Sequence, residues 1–217
     1  MSIRVLLADD HELMREGLRA ILGKEPDIEV IGEAQSGREA VEQVRALAPD
    51  LVIMDVAMKD LNGIEATRQI RAANGGTKVV ALSSYSDRRY VTAILAAGAS
   101  AYVLKANAYD NLRRAVDAVI QGKSYLCPEV AGAVIDVATA SRPADSSVYV
   151  LLGPREREVL QLLAEGLTSP QIGARLHVST ATVDSHRRNL MGKLGIHSVA
   201  ELTKYAIREG LTSLDES

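Results

Sequence analysis

The 217-residue chain reads as two folds in series. The first is an α/β doubly wound, five-stranded parallel sheet, and the second a small all-α domain of four helices containing a helix-turn-helix. Three observations predict this. Residues 1–121 repeat one unit, a short apolar strand followed by an amphipathic helix, and that alternation builds a parallel sheet with right-handed crossovers. The run Leu51-Val52-Ile53-Met54 is apolar at every position, as a strand covered on both faces must be. After residue 150 the strand rhythm stops and only helical periodicity remains.

The predicted strands are residues 3–8, 29–32, 51–54, 78–82 and 101–104. Between them, Met14, Leu18, Ile21 and Leu22 fall on one helical face, and Val41, Val44, Leu47 and Ala48 on another. Ser36, with Glu39 three residues later, forms a capping box that opens the second helix. Val91, Ile94 and Leu95 mark the fourth helix; Leu112, Val116, Val119 and Ile120 mark the fifth. Residues 122–150 are expected to be a linker with one helix over 128–139, since Ser141 to Ser147 offers nothing apolar to bury. In the last part, residues 151–217, Pro154 suits the first turn of a helix that Gly166 stops. Ser169-Pro170 begins a second, and Ser179 caps a third that turns Val183, Leu190 and Leu194 inward. Ser198 and Glu201 open a fourth helix ending at Gly210. The second and third, joined by His177-Val178-Ser179, read as a helix-turn-helix.

Composition narrows the function. Hydrophobic residues make up 47% and charged residues 24% of the chain, which suffices for packed cores, aliphatic ones because there is no Trp or Phe. The single Cys127 cannot form an intrachain disulfide. The N-terminal apolar stretch is too short for a signal-peptide core, and no run approaches the ~18 apolar residues a membrane span needs, so the expected location is the cytoplasm. The net charge of −3 is unevenly spread: residues 1–140 hold 16 Lys+Arg against 19 Asp+Glu, whereas residues 151–217 hold 8 of each. The second domain is therefore free to carry a locally basic face.

Asp55 ends the apolar run, at the sheet edge where open α/β folds collect ligands and chemistry. Asp9 and Asp10 follow the first strand directly and reach the same edge. Three converging carboxylates repel one another unless a cation is present, and oxygen-only ligands suit Mg²⁺. The fourth strand ends in Ser83, a hydroxyl donor, and the fifth in Lys105, a flexible point charge suited to a phosphoryl group. Phosphoryl transfer needs mainly positioning and charge neutralisation, and this set supplies both.

On these residues, positions 1–121 resemble the receiver domain of a two-component response regulator, a CheY-like fold. Residues 151–210 resemble a LuxR-type DNA-binding domain through Leu152-Gly153-Pro154-Arg155-Glu156-Arg157-Glu158-Val159-Leu160, Leu167-Thr168-Ser169-Pro170-Gln171-Ile172, Thr182-Val183-Asp184-Ser185-His186-Arg187-Arg188-Asn189-Leu190 and Lys193-Leu194-Gly195. The chain as a whole is similar to the NarL/FixJ type. The resemblance implies Asp55 as phosphoacceptor, Mg²⁺ on Asp10 and Asp55 with Asp9 assisting and the Ala57 carbonyl as a further ligand, Ser83 and Tyr102 as a switch pair, and Lys105 as the phosphoryl-contacting lysine. It also implies a sensor histidine kinase, promoter DNA and a phosphorylation-dependent homodimer as partners.

Within residues 1–121, two positions depart from the family pattern. Met58-Lys59 stands where Met-Pro is common, and Ala106 follows Lys105 where many receivers have a cis proline, which leaves the isomer of the Lys105–Ala106 bond open. Small Ala57 and Ser84 beside the site lead us to expect Asp55 to be fairly accessible.

The third helix of the second domain, about 15 residues, spans roughly 22 Å, enough to lie along a major groove. By the family pattern Asp184, Ser185 and Arg188 face bases and backbone, with Thr180, Thr182 and His186 nearby and Arg187 and Lys193 as further basic candidates. Asp184 stands where lysine is common, and it is able to accept from cytosine N4 or to weaken attraction to phosphate. A receiver-type adaptor that acts without phosphate is the alternative. An Asp-nucleophile phosphatase is disfavoured because Ala57 occupies the position of its second acid, and no Gly-rich nucleotide motif appears. The chain is expected not to be an enzyme.

Overall fold

The computed structural model describes residues 2–73, 75–139 and 148–212. It divides into two compact units, Met1–Ala140 and Ser141–Ser217.

In the first unit the elements run β1 (Ile3–Ala8), α1 (Glu12–Leu22), β2 (Ile28–Ala34), α2 (Gly37–Leu47), β3 (Leu51–Asp55), α3 (Gly63–Ala73), β4 (Lys78–Ser83), α4 (Arg88–Ala97), β5 (Ala101–Leu104), a 3-10 turn (Lys105–Asn107), α5 (Ala108–Ile120), β6 (Tyr125–Leu126) and α6 (Pro128–Thr139). The sheet order is β2-β1-β3-β4-β5-β6, and every pairing is parallel. The strand order reverses between β1 and β3, which opens a crevice at their carboxyl ends where ligands collect in such folds.

Why β3 needs an unbroken apolar run is visible in its two faces. Leu51 and Ile53 join the core under α1 and α5, whereas Val52 and Met54 join the core under α2 and α3. Successive residues of a strand point to opposite faces, so burial on both sides forbids alternation. Asp55 is thereby carried into the crevice at the end of a strand anchored on both faces.

The sheet has six strands rather than five. Tyr125–Leu126 pairs with Ala101–Tyr102, and Cys127 N–H donates to the Tyr102 carbonyl at 3.0 Å. Two residues are too short to show a period of two, so the strand has no signature of its own. Residues 125–130 are accordingly packed against the first unit, and α6 occupies the 128–139 span where a helix is expected. Tyr125 packs on the first core, and Val130 of α6 is fully buried. At the other end a short helix α7 (Val148–Leu151) brings Val148 and Leu152 into the second unit's core. Residues 141–147, the compositional linker, lie outside the described residues.

The second unit continues with α8 (Pro154–Ala164), α9 (Ser169–Leu176), α10 (Thr180–Leu194) and α11 (Val199–Arg208). Two arginines of α8 tie its neighbours to it. Arg157, buried, donates to the Leu152 carbonyl and lies over the Tyr149 ring at 5.3 Å, closing the end of α7. Arg155 donates to the Leu176 carbonyl at 2.6 Å, fastening α8 to the last turn of α9. His177 takes the left-handed conformation (φ 54°) at the α9 C-cap, which starts the turn into α10. No helix among the described residues is long and apolar enough to cross a membrane.

Candidate functional site

Asp9 follows β1 and Asp55 ends β3, two strands that are direct neighbours with Ala8 opposite Met54. Sheet register alone therefore brings their carboxylates together. Both are almost fully buried, at 1% and 3% exposure, so Asp55 is far less accessible than small Ala57 and Ser84 suggest. The cover comes from Lys105, whose Nζ lies 2.7 Å from Asp9 Oδ2 and 2.9 Å from Asp55 Oδ2. Among the described residues no peptide bond is cis, so the Lys105–Ala106 bond is trans.

Gly63 fixes the loop after Asp55. A Cβ there would stand 1.9 Å from the Asp55 carbonyl oxygen, and the Gly63 N–H donates to the Val56 carbonyl at 3.0 Å. The Ala57 and Lys59 amides approach Asp55 Oδ1 and Asp10 Oδ2 at 3.4 Å each, so this loop faces the carboxylates with backbone donors.

The electrostatics follow from the packing. Burial pushes Asp55 up to about 7, and repulsion from Asp9 adds to it, against the attraction of Lys105. Burial also works against the Lys105 ammonium, but Asp55 and Asp9 outweigh it and hold the lysine above its ordinary value. The site is thus short of positive charge: one lysine faces three carboxylates. One donor atom from each of Asp9, Asp10, His11 and Asp55 falls within 4.8 Å of all the others. Asp10 Oδ1 is buried and accepts no hydrogen bond. A buried oxygen without a donor, in a ring of hard oxygens, fits a divalent cation.

Ser83 and Tyr102 lie beside this centre. Ser83 is fully buried one residue past Leu82, the register partner of Asp55, and its Oγ accepts from the Tyr85 N–H at 3.0 Å. The Tyr102 side chain points inward and donates to the Tyr85 carbonyl at 2.6 Å; burial keeps its hydroxyl well above the ordinary tyrosine value. The Tyr85 ring stacks on Tyr90 with centroids 4.6 Å apart. Both Ser83 and Tyr102 therefore grip the same β4–α4 turn.

Two residues were missed by sequence reasoning. Arg15 is 5% exposed, donates to the Asp9 carbonyl at 2.8 Å and pairs with Glu33 at 3.2 Å. Its signal was an arginine inside the apolar stripe of α1, at helical spacing to Leu18 and Leu22. His11 donates through its backbone to Asp9 Oδ1 at 2.9 Å, and its ring faces Asp9 and Asp10. Its adjacency to the acidic pair was the available signal.

In the second unit α10 has 15 residues with Val183 and Leu190 buried. Thr180, Asp184, Ser185 and Arg188 are exposed on its outer side, and Arg187 and His186 are half-buried. Thr182 is exposed, but its hydroxyl lies 2.9 Å from the Ser179 Oγ that caps the helix. Lys193 pairs with Glu156 of α8 at 2.7 Å, which ties the far end of α10 to the scaffold.

The sequence matches the family described as "Response regulator receiver domain" over residues 5–117, and that described as "Bacterial regulatory proteins, luxR family" over residues 150–206. It is 40% identical over 215 residues to the transcriptional regulatory protein LiaR of Bacillus subtilis, covering 97% of this chain and all of that protein. RcsB from Salmonella enterica serovar Typhimurium, bound to the promoter rprA in the presence of the phosphomimetic BeF3-, is 25% identical with a TM-score of 0.63, covering 94% of this chain and 98% of that one. A structure of two RcsB dimers bound to two parallel DNAs is 25% identical with a TM-score of 0.60, covering 96% and 99%. Receiver-type sheet edge, helix-turn-helix unit and full-length similarity agree: the chain belongs to the two-component response regulators of the NarL/FixJ type, with a receiver domain and a LuxR-type DNA-binding domain.

Proposed function

We propose that Asp55 accepts a phosphoryl group from a sensor histidine kinase and that this event controls promoter binding through α10. The observation that carries the reading is the buried Asp55 held 2.9 Å from Lys105 Nζ beside the carboxylates of Asp9 and Asp10. Mg²⁺ suits the pocket on Asp9, Asp10, Asp55 and the Ala57 carbonyl, where it would supply charge neutralisation for the phosphoryl oxygens. An Asp55 carboxylate oxygen attacks phosphorus, the bond to the donor nitrogen breaks, and an acyl phosphate forms. Lys105 keeps its proton and takes up the new negative charge once Asp55 has given up its share of the pair. Arg15 holds the Asp9 end of the acidic loop in place.

The switch follows from shared contacts. Ser83 and Tyr102 both bind the Tyr85 backbone, so a hydroxyl drawn towards the phosphoryl group releases or tightens one turn, and α4 behind it moves with that turn. Phosphorylation then favours a homodimer that places two α10 helices on adjacent half-sites. Thr180, Thr182, Asp184, Ser185, Arg187, Arg188 and Lys193 form the contacting set, Lys193 after exchange of its Glu156 partner. In this role the chain is a phosphoacceptor and DNA reader in the cytoplasm rather than an enzyme.

Incubation with acetyl phosphate and Mg²⁺ tests the first step. The wild type gains the mass of one phosphoryl group, lost again on treatment with hydroxylamine, and Asp55→Ala gains none. A variant that still gains the mass moves the acceptor to another residue and ends the reading.

A further inference from the structure

His11 stands at the mouth of the acidic pocket and has no part in the phosphoryl chemistry proposed above. It occupies the N-cap position of α1 but makes no side-chain cap, so its ring is free to turn towards the carboxylates. Nδ1 lies 2.9 Å from Asp10 Oδ1 and 3.2 Å from Asp9 Oδ1. A ring nitrogen carries at most one hydrogen, so it cannot serve both oxygens fully as a donor. Asp10 Oδ1 in fact accepts no hydrogen bond although it is buried. A nitrogen lone pair and carboxylate oxygens converging at such distances make a mixed donor set that fits a cation.

We propose that His11 is a fourth ligand of this pocket, so that the site prefers borderline divalent transition ions such as Co²⁺ or Zn²⁺ to Mg²⁺. The inference rests on the pocket being a divalent-cation site. Two ligands on opposite sides of an ion at about 2.1 Å are about 4.2 Å apart. The four donor atoms already lie within 4.8 Å of one another, so about half an ångström of side-chain movement closes the set. Hard oxygen ligands alone suit Mg²⁺, whereas an imidazole nitrogen favours the later first-row metals in their ordinary order of affinity. A side chain that is 60% exposed is able to swing in with the ion and out again, which makes the nitrogen an optional ligand. The pocket then accepts Mg²⁺ on its oxygens and holds a transition ion more tightly through the ring.

The test is metal binding by the full-length protein, without phosphorylation. Co²⁺ and Mg²⁺ affinities are measured in competition, with the visible absorption of Co²⁺ reporting its ligands, in wild type, His11→Ala and Asp10→Asn. Wild type is expected to bind Co²⁺ more tightly than Mg²⁺. His11→Ala should lose about tenfold or more in Co²⁺ affinity with a changed absorption spectrum, while its Mg²⁺ affinity stays within about twofold. The other three histidines, His177, His186 and His197, lie in the second unit, and loss of Co²⁺ binding in Asp10→Asn separates them from the pocket. An unchanged Co²⁺-to-Mg²⁺ ratio in His11→Ala, or Co²⁺ binding that survives Asp10→Asn, overturns the proposal. If wild type binds neither ion, the cation-site reading fails first and takes this one with it.

Discussion

Replacing Asp55 with asparagine should make the protein more stable while removing its phosphoacceptor. In the unfolded chain an aspartate titrates near 3.8, and in the folded protein burial and Asp9 push Asp55 up to about 7. Above pH 7 both states carry the ionised carboxyl, and the folded state bears the whole penalty. Each pH step between the two values is worth about 1.4 kcal/mol, so the penalty at pH 8 is of the order of 4 kcal/mol. The sign is that of a raised carboxyl: stability is lost as pH rises from about 4 to about 7, and lost no further above that. At 3% exposure solvent screens little of this. The amide of Asp55→Asn keeps the shape without the charge. Its gain should be a few kcal/mol at pH 8 in chelator and should shrink towards zero near pH 4. Hydrogen exchange of the peptide covering residues 51–58 reads the opening free energy of this strand within the full-length protein. Equal or lower protection of the variant at pH 8, or a gain that does not change with pH, would refute the charge argument.

Further consequences test other parts of the structure. Lys105→Met leaves three carboxylates without their internal cation and should cost about 3 kcal/mol in chelator at pH 8; added Mg²⁺ should restore much of it, as read by the thermal midpoint. Gly63→Ala drives a methyl group into the Asp55 carbonyl and should destabilise by more than about 3 kcal/mol, measured by urea unfolding. In DNA binding, Arg188→Ala should reduce the slope of log affinity against log salt by about 1. Asp184→Lys should raise affinity for unrelated duplexes and steepen the same slope by about 1, checked by fluorescence anisotropy over a salt series.

Much of the receiver was legible because its strands are covered on both faces. An apolar run with no alternation that ends in a carboxylate points to a doubly covered strand at a ligand-binding sheet edge, and the register of neighbouring parallel strands then brings Asp9 to Asp55. Capping chemistry was equally local: Ser36 accepts from Glu39 N–H, Ser179 from Thr182 N–H and Ser198 from Glu201 N–H. What escaped depends on the third dimension. β6 is two residues long and exists only because β5 offers an open edge. The same packing turned Tyr125 and Leu126 of an expected linker into β6, whereas α6 forms over 128–139, where a helix is expected. The burial of Asp55 could not be read from the small residues around it, because its cover comes from Lys105, 50 positions away. Arg15 was hidden by its own surroundings, a charged residue in an apolar stripe whose partners are a backbone carbonyl and Glu33 on β2.

Control of the DNA-binding helix by chemistry at Asp55 is the proposal on which the rest depends. Its most direct test is DNA affinity and oligomeric state of the full-length protein at one stated salt concentration, with and without beryllofluoride and Mg²⁺, in wild type and Asp55→Ala. Activated wild type should bind DNA more tightly and form dimers, and the variant should not respond. Equal responses in both proteins, or none in a wild type shown to carry the modification, would contradict it.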